Sequence, residues 1–178
     1  TGTRTWPASC SRGAAGRASA LGGVVASQPA WLYLGGRTLL AQFGADRLRY
    51  FQPRRSLFEA GVIAGGGSDH MQKVGSFRSI NPYNPFLGMW ITLTRQPRRT
   101  DQPLHPEQAI TREQALRLYT INNAFLTFEE KAKGSLEAGK LADFVVLKPD
   151  ILTCPVAEVR NVPPRQPSRG SQRVLRAT

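Results

Sequence analysis

Two short apolar runs with helical sequence between them constrain the fold most. "ALGGVVAS" ends at Gln28-Pro29, and "VIAGG" follows at residues 62–66. Both read as covered strands rather than half-exposed ones. Between them, helical sequence runs from about Thr38 to Gln42 and again from Ala45 to Phe51. Pro53 suits the first turn of a further helix through "RRSLFEA", and Gly61 suits the position just past its end. Strand, helices and strand in that order give the rhythm of a parallel sheet, and so an α/β fold.

Downstream, "INPYNP" has two Asn-Pro steps and reads as a loop. "FLGMWITLTR" reads as a helix with Phe86, Met89, Trp90 and Leu93 on one face. Thr111-Arg112-Glu113-Gln114 forms a capping box that opens "REQALRLYTIN". That helix shows Ala115, Leu118 and Tyr119 on one face, with Asn122-Asn123 as its stop. In "GSLEAGKLADFVVL", Gly139 gives a turn between two short strands. The second of these, "FVVL", reads as buried. They form a small β unit apart from the βα layers.

The net charge of +12 suggests nucleic acid until its distribution is read. Residues 30–159 hold all 12 acids against 16 basic residues, so this core carries only +4. The remaining arginines sit in acid-free ends that read as poorly packed. The core shows no basic face with interleaved aromatics, so nucleic acid is not the expected partner. No apolar run spans a membrane. Two cysteines, Cys10 and Cys154, make no disulfide framework and read as free thiols in a reducing compartment, taken as the cytoplasm.

"GVIAGGGSDH", residues 61–70, carries most of the functional signal. A phosphate-binding loop needs a lysine after its last glycine, and none follows Gly67. A dinucleotide fingerprint needs a third glycine at residue 70, where His70 stands. Chemistry in parallel α/β folds gathers at the C-terminal ends of strands, and Asp69 sits just beyond such an end. A carboxylate there can bind a divalent ion or take a proton from activated water; it can equally cap a helix or close a turn. His70 points away from Asp69 on an extended chain and reads as a loop residue. Ser68 could orient the Asp69 carboxylate or serve as a turn serine. His105, between prolines, reads as exposed.

Several stretches together resemble one family. "VVASQPAWLY", "RLRYFQPRRSLFEAGVIAGGGSDHM", "NPYNPFLGMWITLTR", "AITREQALRLYTINNA" and "GSLEAGKLADFVVL" stand in the order found in the C-terminal part of the metal-dependent amidohydrolases, in the branch called amidohydrolase family 3. The resemblance covers roughly residues 18–162. It implies the C-terminal part of a TIM-like (β/α)8 barrel followed by strands of a small β-sandwich. It implies hydrolysis of non-peptide carbon–nitrogen bonds in a small amide-type substrate, with a divalent metal, most often zinc. It places Asp69 after the last barrel strand, at the metal, as the group that carries a proton from the attacking water to the leaving amine.

The departures shape the expectation. The family draws metal ligands from a His-x-His pair and from middle-strand histidines. This chain has no His-x-His and two histidines in all. Residues 1–17 are expected to be a basic unassigned segment, 18–133 barrel, 134–162 sandwich strands and 163–178 a basic disordered tail. The expected function is that of an amidohydrolase fragment, inactive alone and binding no metal by itself, whose first partner is the missing N-terminal barrel half. Phe77, Tyr83 and Trp90 read as pocket walls or as core. The alternative is a non-catalytic interaction or basic nucleic-acid-binding module, whose open sheet edges would also permit a homo-oligomer.

Overall fold

The computed structural model describes residues 12–69, 83–162 and 164–168. Strands β1 (Val24–Ser27) and β2 (Ile63–Gly66) pair in parallel, in register from Val24 opposite Ile63 to Ser27 opposite Gly66. The connection between them holds α2 (Pro29–Arg47) and α3 (Arg54–Glu59). Pro29 opens α2, where a missing N–H costs nothing. The two helical patches read between residues 38 and 51 are corrected here. α2 runs from Pro29 and bends at Gly44, whose φ of 74° breaks the helical geometry, and 48–51 lie beyond its end. Gly61, with φ of 74°, closes α3 as expected.

A further helix, α1 (Arg12–Ala20), precedes β1. The reading of residues 1–17 as unpacked is therefore corrected for their last part. Ala15 and Ala18 are buried against Val25, Leu57 and Val62. Their small side chains let the helix lie close without the apolar stripe that would announce it.

α4 (Pro85–Thr94) is capped by Asn84, whose side chain accepts from Phe86 N at 2.9 Å. Phe86, Met89 and Trp90 are buried in the larger core, and Leu93 packs against it. α5 (Arg112–Tyr119) opens on the full capping box. Gln114 N donates to Thr111 Oγ1 at 3.2 Å, and Thr111 N donates to Gln114 Oε1 at 3.0 Å. Ala115 and Leu118 are buried, and burial of Leu118 alone contributes about 1.5–3 kcal/mol.

Asn122-Asn123 do not stop the helix. The break falls at Thr120, and α6 (Ile121–Leu126) runs through both asparagines. Their side chains are taken up elsewhere. Asn122 Nδ2 donates to Ala64 O and Asn123 Nδ2 to Gly66 O, each at 2.8 Å. Two asparagines that would weaken an isolated helix instead fasten α6 to β2.

The C-terminal unit also differs from its reading. Residues 134–138, just before Gly139, form no strand. β3 (Phe144–Leu147) pairs antiparallel with β4 (Pro164–Ser168). Val145 and Val146 are exposed, so "FVVL" is not a buried strand here. β4 lies in the stretch read as a disordered tail. Between them, α7 (Val156–Val159) packs on α4 and buries Val159.

The glycines of β2 now have a structural reason. A methyl group at Gly65 would overlap the Asn123 amide oxygen, and one at Gly66 would crowd Leu118 and Tyr119 at 3.0 Å. A methyl at Gly67 would meet open space. Gly65→Ala is therefore expected to destabilise by about 1–3 kcal/mol through overpacking. Gly67→Ala should stay within about 0.5 kcal/mol of the parent. Urea unfolding of the two variants checks the contrast.

Candidate active site

In-register parallel pairing sets the C-terminal ends of β1 and β2 side by side. Gly67 N continues the pairing by donating to Ser27 O at 2.9 Å. The chain then turns, and Asp69 adopts a left-handed φ of 48°, a conformation aspartate tolerates better than most residues. On the neighbouring strand, Gln28 leads directly into α2. Trp31, in the first turn of that helix, donates from Nε1 to Asp69 Oδ2 at 2.9 Å. The carboxylate is thus oriented by an indole from the adjacent βα connection.

Beside this loop lies a cavity of about 220 Å³. Gly66, Ser68, Tyr83, Gly88 and Tyr119 are among its lining residues. The Tyr119 hydroxyl lies so close to Gly88 that a side chain there would overlap it. Burial pushes the Tyr119 phenol up to about 12, against a smaller opposing pull from Arg54. It therefore stays neutral, a hydrogen-bonding group at working pH.

The residues singled out from sequence are dispersed. Asp69 stands at the strand end, Ser68 lines the cavity, and Trp31 donates to the carboxylate. Tyr83 is a wall. Trp90 is core, edge-on to Tyr33 at 6.1 Å with the Arg160 guanidinium 4.9 Å over its ring. His70, Phe77 and Cys10 lie outside the described residues, and Cys154 is a buried free thiol. His105 is not exposed as read: its ring is largely covered, bonded to Glu107 Oε1 at 2.8 Å and to Ala45 O at 2.7 Å.

Among the described residues, no three His, Cys, Asp or Glu side chains gather as metal ligands. Asp69 contributes one carboxylate, and a structural or catalytic zinc takes at least three protein ligands. The described donor set therefore does not fit a metal by itself. No helix among these residues is long and apolar enough to cross a membrane.

The model of the amidohydrolase family matches residues 12–169. The chain belongs to the amidohydrolase family. Its match begins with α1, ahead of the stretch where the sequence resemblance starts. Over 117 residues this amidohydrolase chain is 36% identical to the N-substituted formamide deformylase of Arthrobacter pascens, covering 66% of this chain and 20% of that protein. The chain thus spans about a fifth of that relative's length. Two solved structures share its fold. An uncharacterized metal-dependent hydrolase from Pyrococcus horikoshii OT3 superposes with a TM-score of 0.65 at 20% identity, over 80% of this chain and 28% of that one. One from Pyrococcus furiosus gives 0.62 at 22% identity, over 78% and 26%.

Trp31, Tyr119, Asn122 and Asn123 were missed as site-shaping residues. Trp31 carried a legible signal, an aromatic with a ring N–H one turn past a strand end. Tyr119 carried only its place on the buried face of α5.

Tyr119 also fixes a pH response. Its pKa is raised on folding, so the stability it contributes is complete below pH 10, the unfolded value. That stability falls as pH rises towards 12. In an absorbance titration, the phenolate signal missing from Tyr119→Phe should be one that appears near pH 12.

Proposed function

We propose that this chain supplies the C-terminal part of a barrel-type hydrolase that cleaves carbon–nitrogen bonds in small amides, with Asp69 as its proton carrier. The observation that carries this reading is Asp69 beyond β2, held by Trp31 at the end of a parallel strand pair. Family membership and the 36% identity to a formamide deformylase support the bond class. Substrate amides enter at the strand ends, where the cavity beside Asp69 opens. The Asp69 carboxylate takes a proton from the attacking water and returns it to the leaving nitrogen as the C–N bond breaks. The indole N–H of Trp31 holds one carboxylate oxygen and so orients the group. A positioned base of this kind contributes about 10²–10⁴-fold.

β1 and β2 form a two-stranded sheet among the described residues. On this reading their outer edges receive the remaining barrel strands, and β3 and β4 belong to the accompanying sandwich. A divalent metal, zinc in the simplest form, needs more ligands than Asp69, and those come from outside the described residues. The chain alone is then inactive.

The test is a chimera of the Arthrobacter pascens deformylase, with its matching 117-residue region exchanged for that of this chain. It should hydrolyse an N-substituted formamide, and Asp69→Asn should lower kcat by about 10²–10⁴-fold. An Asp69→Asn chimera as fast as its parent would exclude the assigned role.

A further inference from the structure

The hydroxyl of Tyr119 is a polar group that the core around it does not use. Tyr119 ends α5, and its ring packs against both hydrophobic cores. Two glycines make room for the tip of that ring. A methyl group at Gly66 would lie 3.0 Å from Cε2 and Cζ, and one at Gly88 would overlap the hydroxyl oxygen. Gly88 sits inside α4, where glycine weakens a helix relative to alanine. Phenylalanine at residue 119 would supply the same packing and crowd Gly88 less. Packing alone therefore does not account for the oxygen.

Among the described residues, that oxygen takes part in no hydrogen bond. Nor is it one of the fully shielded polar atoms left without a partner, which belong to Arg54 and Glu130. It is therefore reached from outside. Tyr119, Gly66 and Gly88 all line the 220 Å³ cavity beside the Asp69 loop, and the hydroxyl lies between the two glycines, so it opens into that cavity. Ala30 and Ile91 give the cavity apolar wall. Asn84, also in the lining, is engaged: its Oδ1 caps α4 and its Nδ2 donates to Arg160 O. An apolar pocket with a few placed polar groups is the usual form of a small-molecule site.

A phenol both donates and accepts. The positive charge of Arg54 acts on this one, which favours its O–H as the donor to a partner's oxygen. None of the described lining residues is charged, so a carboxylate would enter this cavity at a desolvation cost. We propose that Tyr119 is a specificity residue, whose hydroxyl donates to an uncharged ether or carbonyl oxygen on the substituent that an amide substrate lodges in this cavity. The substrate's identity as an amide rests on the hydrolase reading. The hydrogen bond itself does not depend on Asp69 being catalytic.

The experiment titrates the full chain with N-butylformamide and N-methoxyethylformamide, which differ by an ether oxygen in place of one methylene. NMR follows the Gly66 and Gly88 amide signals, and both compounds should bind saturably. An oxygen for a methylene weakens apolar contact in any pocket, so the ratio of the two Kd values is compared between proteins. That ratio should favour the ether about 2–10-fold more in the parent than in Tyr119→Phe, the net effect of one neutral hydrogen bond. N-butylformamide should bind both proteins equally. Gly88→Ala, whose methyl displaces the hydroxyl, should lose the same preference. In the parent alone, the Tyr119 Cζ signal should move with the ether and stay in place with the butyl compound, a readout that needs no variant to fold. An equal ratio in folded Tyr119→Phe, a Cζ signal that the ether leaves unmoved, or the absence of saturable binding overturns the proposal. An Asp69→Asn chimera as fast as its parent would leave the Kd ratio unchanged, so the two proposals fail separately.

Discussion

The pairing of Ser27 with Gly66 is the constraint on which the site depends. A slip of one residue would turn every side chain on β2 to the other face. It would also carry Asp69 away from the first turn of α2. The register is held from several directions at once. Apolar burial of Val25 and Ala64 fixes the strands, and Gly67 N extends the ladder by one bond. Asn122 and Asn123 then pin the carbonyls of Ala64 and Gly66 from α6. Gly65 is needed because the Asn123 amide comes so close, and Gly66 because Leu118 and Tyr119 do. What looks like a loop adapted to phosphate is a strand thinned to admit a helix.

Polar groups do unusual structural work around this pair. The Arg95 guanidinium binds three carbonyls from two loops, and so holds residues 51 and 52 and the backbone at Leu104 together. Gln108 bonds the Ser56 hydroxyl within the same layer at 2.9 Å. Such contacts are strong only because they are dry and complete. Arg54 breaks that pattern: its Nε and Nη1 find no partner among the described residues.

Much of the fold was legible where the signal is local. Pro53 and Gly61 bracket α3, the Thr111–Gln114 box opens α5, and both parallel strands stand where their apolar runs lie. What escaped depends on partners distant in sequence. Asn122 and Asn123 read as a stop because their hydrogen bonds go to residues nearly sixty positions away. Nothing in the sequence marks Arg54 and Arg95 as buried, because burial of a cation has no local signature. The exposure of Val145 and Val146 contradicts their β-branched character for the same reason. The position of Asp69 just beyond β2 was legible from the strand that precedes it. Its contact with Trp31 was not, since only the register brings the two together.

The central claim is that the strand ends hold the Asp69 carboxylate against the Trp31 indole. The indole Nε1–H of Trp31, observed by NMR in the full chain and in Asp69→Ala, tests it most directly. The account predicts a slowly exchanging, downfield indole proton that moves upfield and exchanges faster once the carboxylate is removed. An indole proton with the same shift and exchange rate in both proteins would contradict it.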